Sequence, residues 1–145
     1  VPSTVAAELP DAGLLNAEIL LRQGQVEKSN TLLRGIEKKI RAVPGPDSWN
    51  EALFQLDSIA SIAREAGDWD LAEFTAHQII EHDPSYAGGY YALGLTYEHR
   101  GEQAAAREQF VQAEKSWSKA DAEMPELVQV RQKIAVLLQG RSTAN

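Results

Sequence analysis

Three histidines, His77, His82 and His99, are the side chains best suited to ligate a metal or move a proton near neutral pH. Glu73 and His77 stand four residues apart, a spacing that presents both from one helix face. His82 lies five residues on, about 140° around that helix, and points elsewhere. Zinc takes at least three protein ligands, and no third one falls in line, so the pair reads as solvated surface. With no cysteine in the chain, thiolate catalysis, disulfides and cysteine-ligated zinc are excluded. Neither a phosphate-cradling glycine signature nor a nucleophile elbow is present. Gly88-Gly89 has no lysine following it and reads as a permissive helix start. The serines have no histidine and acid arranged with them, and acids such as Asp68 and Asp70 fall where carboxylates cap helices. The sequence therefore predicts neither an enzyme nor a cofactor.

Charge is the next candidate for chemistry. The net charge is −7, and it is unevenly placed. Residues 1–50 balance, and so do residues 84–145. The whole surplus sits in 51–83, where Glu51, Asp57, Glu65, Asp68, Asp70, Glu73, Glu81 and Asp83 face Arg64 alone. Such a stretch repels a phosphate backbone and suits a basic peptide. A basic cluster on 26–43, Lys28, Arg34, Lys38, Lys39 and Arg41, is diluted by Glu27 and Glu37. No aromatic is interleaved to stack bases, so nucleic acid is not an expected partner. No apolar run approaches the roughly 18 residues of a membrane span.

The elements that must position these residues are helical. Hydrophobic residues make up 43% of the 145, which suits one domain with a core of its own. Residues 1–9, from Val1-Pro2-Ser3, show neither an initiator methionine nor a leader, and predict a loose lead-in to a piece of a longer or processed protein. Helical spacing then starts at Pro10 with Leu14, Leu15, Ile19 and Leu20, and Gly24 breaks it. A second helix runs from about Val26 to Val43 and ends at Pro44-Gly45-Pro46. Asp47 or Ser48 caps a third, with Glu51 as capping-box partner and Leu53, Leu56, Ile59, Ala60 and Ala63 as its stripe. Gly67-Asp68 turns into a fourth helix, about Trp69 to Glu81, closed by Asp83-Pro84. A fifth covers about Ala87 to Arg100, and after Gly101 a sixth covers about Gln103 to Lys119 with Ala106, Phe110, Ala113 and Trp117. Pro125 opens a seventh, to about residue 139, which Gly140 ends; 141–145 is expected to fray. The hairpins thus fall at about 10–43, 47–82 and 85–119, within one unit over 10–140.

An echo at 34 residues links two of these hairpins. Leu56 returns as Tyr90, Ile59 as Leu93, Ala60 as Gly94, Gly67 as Gly101 and Ala72 as Ala106. A fixed period of this length marks stacked helical hairpins that bury their apolar faces on one another. Gly24 and Gly67 are 43 apart instead, the extra nine residues falling in the second helix and its Pro-Gly-Pro link. The run Tyr90, Leu93, Gly94, Tyr97, Ala106, Phe110 and Ala113 resembles the tetratricopeptide repeat, whose aromatic, Leu-Gly, Tyr, Ala and Phe positions have these spacings. The chain is similar to that family across 10–140, most specifically across 53–118. The resemblance implies an all-α, right-handed superhelical array of antiparallel hairpins, closed by a solvating helix.

The same resemblance implies a concave groove lined by the first helix of each hairpin. By the family's spacing Leu14, Glu18, Phe54, Asp57, Ser61, Arg64, Tyr91, Leu95 and Glu98 project into it. Arrays that clamp a C-terminal carboxylate use lysine, arginine and asparagine where this chain has Leu14, Glu18, Ser58, Gly88 and Ala92, so no clamp is expected. The implied function is a scaffold for a protein or peptide segment, basic or apolar, anchored by Phe54, Tyr91 and Leu95, with Asp57 and Glu98 favouring a base. The alternative is a structural module that packs on another copy, or an accessory domain of a larger protein. Mass that rises with concentration in sedimentation would mark the first of these.

Overall fold

A computed structural model describes residues 10–42, 49–117 and 124–142. Among them the backbone forms seven helices and no strand. They are α1 (Pro10–Arg22), α2 (Val26–Ala42), α3 (Trp49–Glu65), α4 (Trp69–His82), α5 (Ala87–His99), α6 (Gln103–Ser116) and α7 (Pro125–Ser142). The fold is all-α, with α1–α2, α3–α4 and α5–α6 pairing as hairpins and α7 packed on α6. The lead-in, the Pro-Gly-Pro link and the capping residues Asp47 and Ser48 lie outside the described residues.

The three turns within hairpins are built alike. Gly24, Gly67 and Gly101 have φ of 75°, 76° and 76°, the left-handed region that only glycine enters without strain. Each glycine N–H reaches back three residues and the next N–H reaches back five: Gln25 to Leu20 at 2.9 Å, Asp68 to Ala63 at 2.9 Å, Glu102 to Tyr97 at 2.9 Å. These paired bonds satisfy carbonyls that the helix ends leave open. Five residues past each glycine stand Ser29, Ala72 and Ala106, all with no exposure, where the two helices of a hairpin cross. Ser29 is polar there because its hydroxyl donates to the Ala17 carbonyl at 2.8 Å. The first hairpin is thus a full copy of the others at its turn, and its irregularity is confined to the length that follows.

The core runs along the stack in successive layers. Leu33, Ile36, Leu53, Leu56, Ile59, Leu71 and Ile79 form the layer between the first two hairpins. Ala60, Ala76, Ala92 and Leu93 follow, and then Ala106, Phe110 and Val130. Burying each large side chain contributes about 1.5–3 kcal/mol. The second layer is built mostly of alanines, small side chains that let α3, α4 and α5 pack closely there. Gly94 shows the same constraint: a Cβ on it would lie 2.5 Å from the Phe110 ring.

Two ends differ from expectation. α6 stops at Ser116 and Trp117 caps it, whereas helical spacing predicted continuation to Lys119. α7 runs through Gly140 to Ser142, so Gly140 does not end it and 141–142 are helical. Gly140 has no positive φ, and a helical glycine costs only about 1 kcal/mol relative to alanine, too little to stop a helix unaided.

Candidate functional site

α3 carries Phe54, Asp57, Ser58, Ser61 and Arg64 at spacings of three and four, which places them on one helical face. That face looks onto the start of α5. There Tyr86 stands at the N-cap of α5, and Gly88 and Tyr91 follow in its first turns. Asp57, Ser61, Arg64, Tyr86, Tyr91, Trp117, Met124 and Glu126 enclose an open cavity of about 450 Å³ together with Ser58 and Gly88.

Asp57 is the centre of the polar wall. The Tyr86 hydroxyl donates to its Oδ2 at 3.1 Å. Gly88 makes this possible: a Cβ there would lie 2.5 Å from the Tyr86 ring and 3.3 Å from Asp57 Oδ2. Its role is the space it leaves, since it has no positive φ; the permissive backbone expected of Gly88-Gly89 is not what is used. Burial raises the Asp57 pKa above the ordinary 3.8, the Tyr86 bond and Arg64 oppose this, and Glu126 adds to it. Burial lowers the Arg64 pKa, with Asp57 the main opposing influence. The Tyr86 hydroxyl is pushed up to about 12, by burial first and then by Asp57. The site therefore holds an acid and a base partly out of water, each costing the fold something.

Asp57→Asn tests that cost. A carboxyl whose folded pKa is raised stabilises the fold fully below 3.8, and that contribution is lost as pH rises through the folded value. Asn keeps an acceptor for Tyr86 and carries no charge to desolvate. Asp57→Asn is expected to melt higher than the parent at pH 7, the gap closing as pH falls below 4, read by circular dichroism across pH. A lower melting temperature at pH 7 would contradict the desolvation account.

The other expected groove residues have different fates. Leu14 packs against the first core layer, and Glu18 pairs with Arg22 at 2.9 Å; neither lines the cavity. Phe54 is 66% exposed and meets the Tyr86 ring edge-on at 6.5 Å, outside the lining itself. Leu95 packs against the layer of Phe110 and Val130. Glu98 accepts from Lys133 Nζ at 2.6 Å. Tyr91 still lines the cavity, but its hydroxyl donates to Gln129 Oε1 at 2.9 Å. α7 thus sits on the α5 positions that the family's spacing aims at an open groove, and Glu98 is neutralised there. Tyr86, Trp117 and Glu126 were not anticipated. Only the small residues Ala87-Gly88-Gly89 after Tyr86 hinted that an aromatic folds back there.

Four of the eight acids of 51–83 are engaged away from the cavity. Asp68 accepts the Leu71 N–H as N-cap of α4 and both Oδ atoms accept from Arg34 Nη2 at 2.8 Å. Asp70 and Glu73 accept from Arg100, and Asp83 Oδ1 accepts the Ser85 N–H at 2.9 Å. Trp69 stacks on His99 at 3.8 Å beside them, so Asp68, Asp70 and Glu73 join one hairpin to its neighbours, while the Asp83 bond is local. His77 lies 3.9 Å from Glu73, and among the described residues no group of three His, Asp or Glu side chains could hold a metal. No described helix is long and apolar enough to cross a membrane.

No family model matches the chain, and no curated protein matches it by sequence. Solved structures do share its fold. BtubC from P. vanneervenii superposes with a TM-score of 0.73 at 13% identity over 94% of this chain, which spans 57% of the length of BtubC. The C-terminal TPR-containing domain of a Plasmodium falciparum protein described as FK506-binding superposes with a TM-score of 0.64 at 11% identity, over 96% of this chain and 92% of that one. The fold is therefore that of a tetratricopeptide-type array of helical hairpins.

Proposed function

We propose that the chain is a protein-interaction scaffold that holds a peptide or protein segment in the cavity between α3, α5 and the start of α7, without a carboxylate clamp. The observation that carries this reading is the cavity itself: polar and aromatic side chains from separate elements are gathered half out of water in one open hollow of about 450 Å³. Desolvating Asp57 and Arg64 costs the folded chain stability, and contact with a partner segment would use both. Ser58 and Gly88, on its wall, offer no cation to a terminal carboxylate, and the one cation among the described lining residues, Arg64, is set against Asp57 and Glu126. A second reading, end-to-end packing of copies, draws on Leu15 at 59% exposure in α1 and Val136 at 65% in α7.

Selection from a displayed library of random peptides tests the first reading. Peptides enriched on the parent protein are expected to bind Ser61→Trp, which fills the cavity, at least about tenfold more weakly at unchanged helicity. Peptides that bind both proteins equally would place the binding face elsewhere.

A further inference from the structure

We infer that this cavity takes the side chain of an arginine from the partner segment, seated between Asp57 and Glu126 against the rings of Tyr91 and Trp117. The inference rests on the scaffold reading and names the chemistry it recognises. Among the described residues that line the hollow, two are carboxylates and one is a cation, so these carry an unmatched negative charge. Asp57 accepts the Tyr86 hydroxyl on Oδ2, while Oδ1 has no hydrogen bond among the described residues. Glu126, in the first turn of α7, is likewise without a hydrogen-bond partner among them, and its charge reaches Asp57, whose ionisation it opposes. Arg64, seven residues past Asp57 on α3, is the one cation among the described lining residues to set against these two carboxylates. The Tyr91 and Trp117 rings lie 5.7 Å apart at 54°, offering tilted aromatic faces on the same wall.

Arginine fits this wall better than lysine does. Its guanidinium is flat, stacks on aromatic faces, and donates from several N–H groups to a carboxylate with a free oxygen. It is also less strongly hydrated than an ammonium, so less is lost when it enters a half-buried hollow. An acidic side chain would meet two carboxylates against the single cation Arg64 among the described lining residues.

Titration of the isotope-labelled protein with N-acetyl-arginine amide, followed by NMR, is the test. The arginine derivative is expected to move the Trp117 indole and the amides of residues 57–61 and 88–91. The uncharged isostere N-acetyl-citrulline amide should bind about tenfold more weakly or not at all, and the lysine derivative should fall between. Asp57→Asn and the exposed Glu126→Gln are each expected to weaken arginine by about tenfold, while Glu81→Gln, on α4 away from the hollow, leaves it unchanged. Equal shifts from arginine and citrulline would overturn the proposal, as would undiminished binding by Asp57→Asn and Glu126→Gln. An equal loss in Glu81→Gln would show a diffuse charge effect and overturn it too. Library peptides that Ser61→Trp blocks but that carry no arginine would overturn the anchor and leave the scaffold standing.

Discussion

Gly94→Val is expected to unfold the array at lower temperature by about 10 °C, a loss of about 3 kcal/mol. The reason is distance. A Cβ at residue 94 would stand 2.5, 2.6 and 3.0 Å from three carbons of the Phe110 ring, closer than non-bonded carbons tolerate. Phe110 has no exposure and cannot swing into solvent. Its ring is enclosed by Tyr91 at 6.3 Å between centroids and by the Lys133 ammonium at 5.8 Å. α5 and α6 must therefore separate, and separation breaks contacts along the whole hairpin. Thermal unfolding followed by circular dichroism reads the effect. A melting temperature equal to the parent's would show that the ring has room to move.

Phe110→Ala is expected to cost about 4 kcal/mol, the larger effect of the two. The side chain is wholly buried at the junction of α5, α6 and α7, and its removal leaves a void lined by Ala106 and Val130. Because α7 is held through this layer, its amides should exchange hydrogen faster than those of the first two hairpins. The two substitutions are not independent. In a Phe110→Ala background the valine side chain introduced by Gly94→Val would enter the vacated space, so that substitution should cost less there than in the parent. Additive losses in denaturant unfolding would mean that residues 94 and 110 do not compete for one volume.

Gly94 and Phe110 could each be given a repeat position from the sequence, because their spacing matches the tetratricopeptide pattern, but that they meet is read from the structure. The turns at Gly24, Gly67 and Gly101 were legible for a local reason, since a chain must reverse there and only glycine takes the required φ freely. The candidate site was half legible. Asp57, Ser61 and Arg64 share a face because they lie on one helix, and helical period is a sequence property. Leu95 and Glu98 share such a face on α5 with Tyr91, yet α7 lies against it. Nothing within residues 90–98 encodes that cover.

The helical hairpins, their turns and the small-residue crossings were all set by the order of residues along the chain, because each depends on residues within one repeat length. Which charges stay available was set instead by packing. The acids of 51–83 are close in the chain, but Asp68, Asp70 and Glu73 are drawn to Arg34 and Arg100 on neighbouring hairpins, leaving Asp57 to face the hollow. Packing also brought Tyr86, Trp117 and Glu126 to Asp57, from a helix cap, a helix end and the first turn of α7. Such meetings depend on how hairpins stack and on where α7 lands, and no spacing along the chain carries that information.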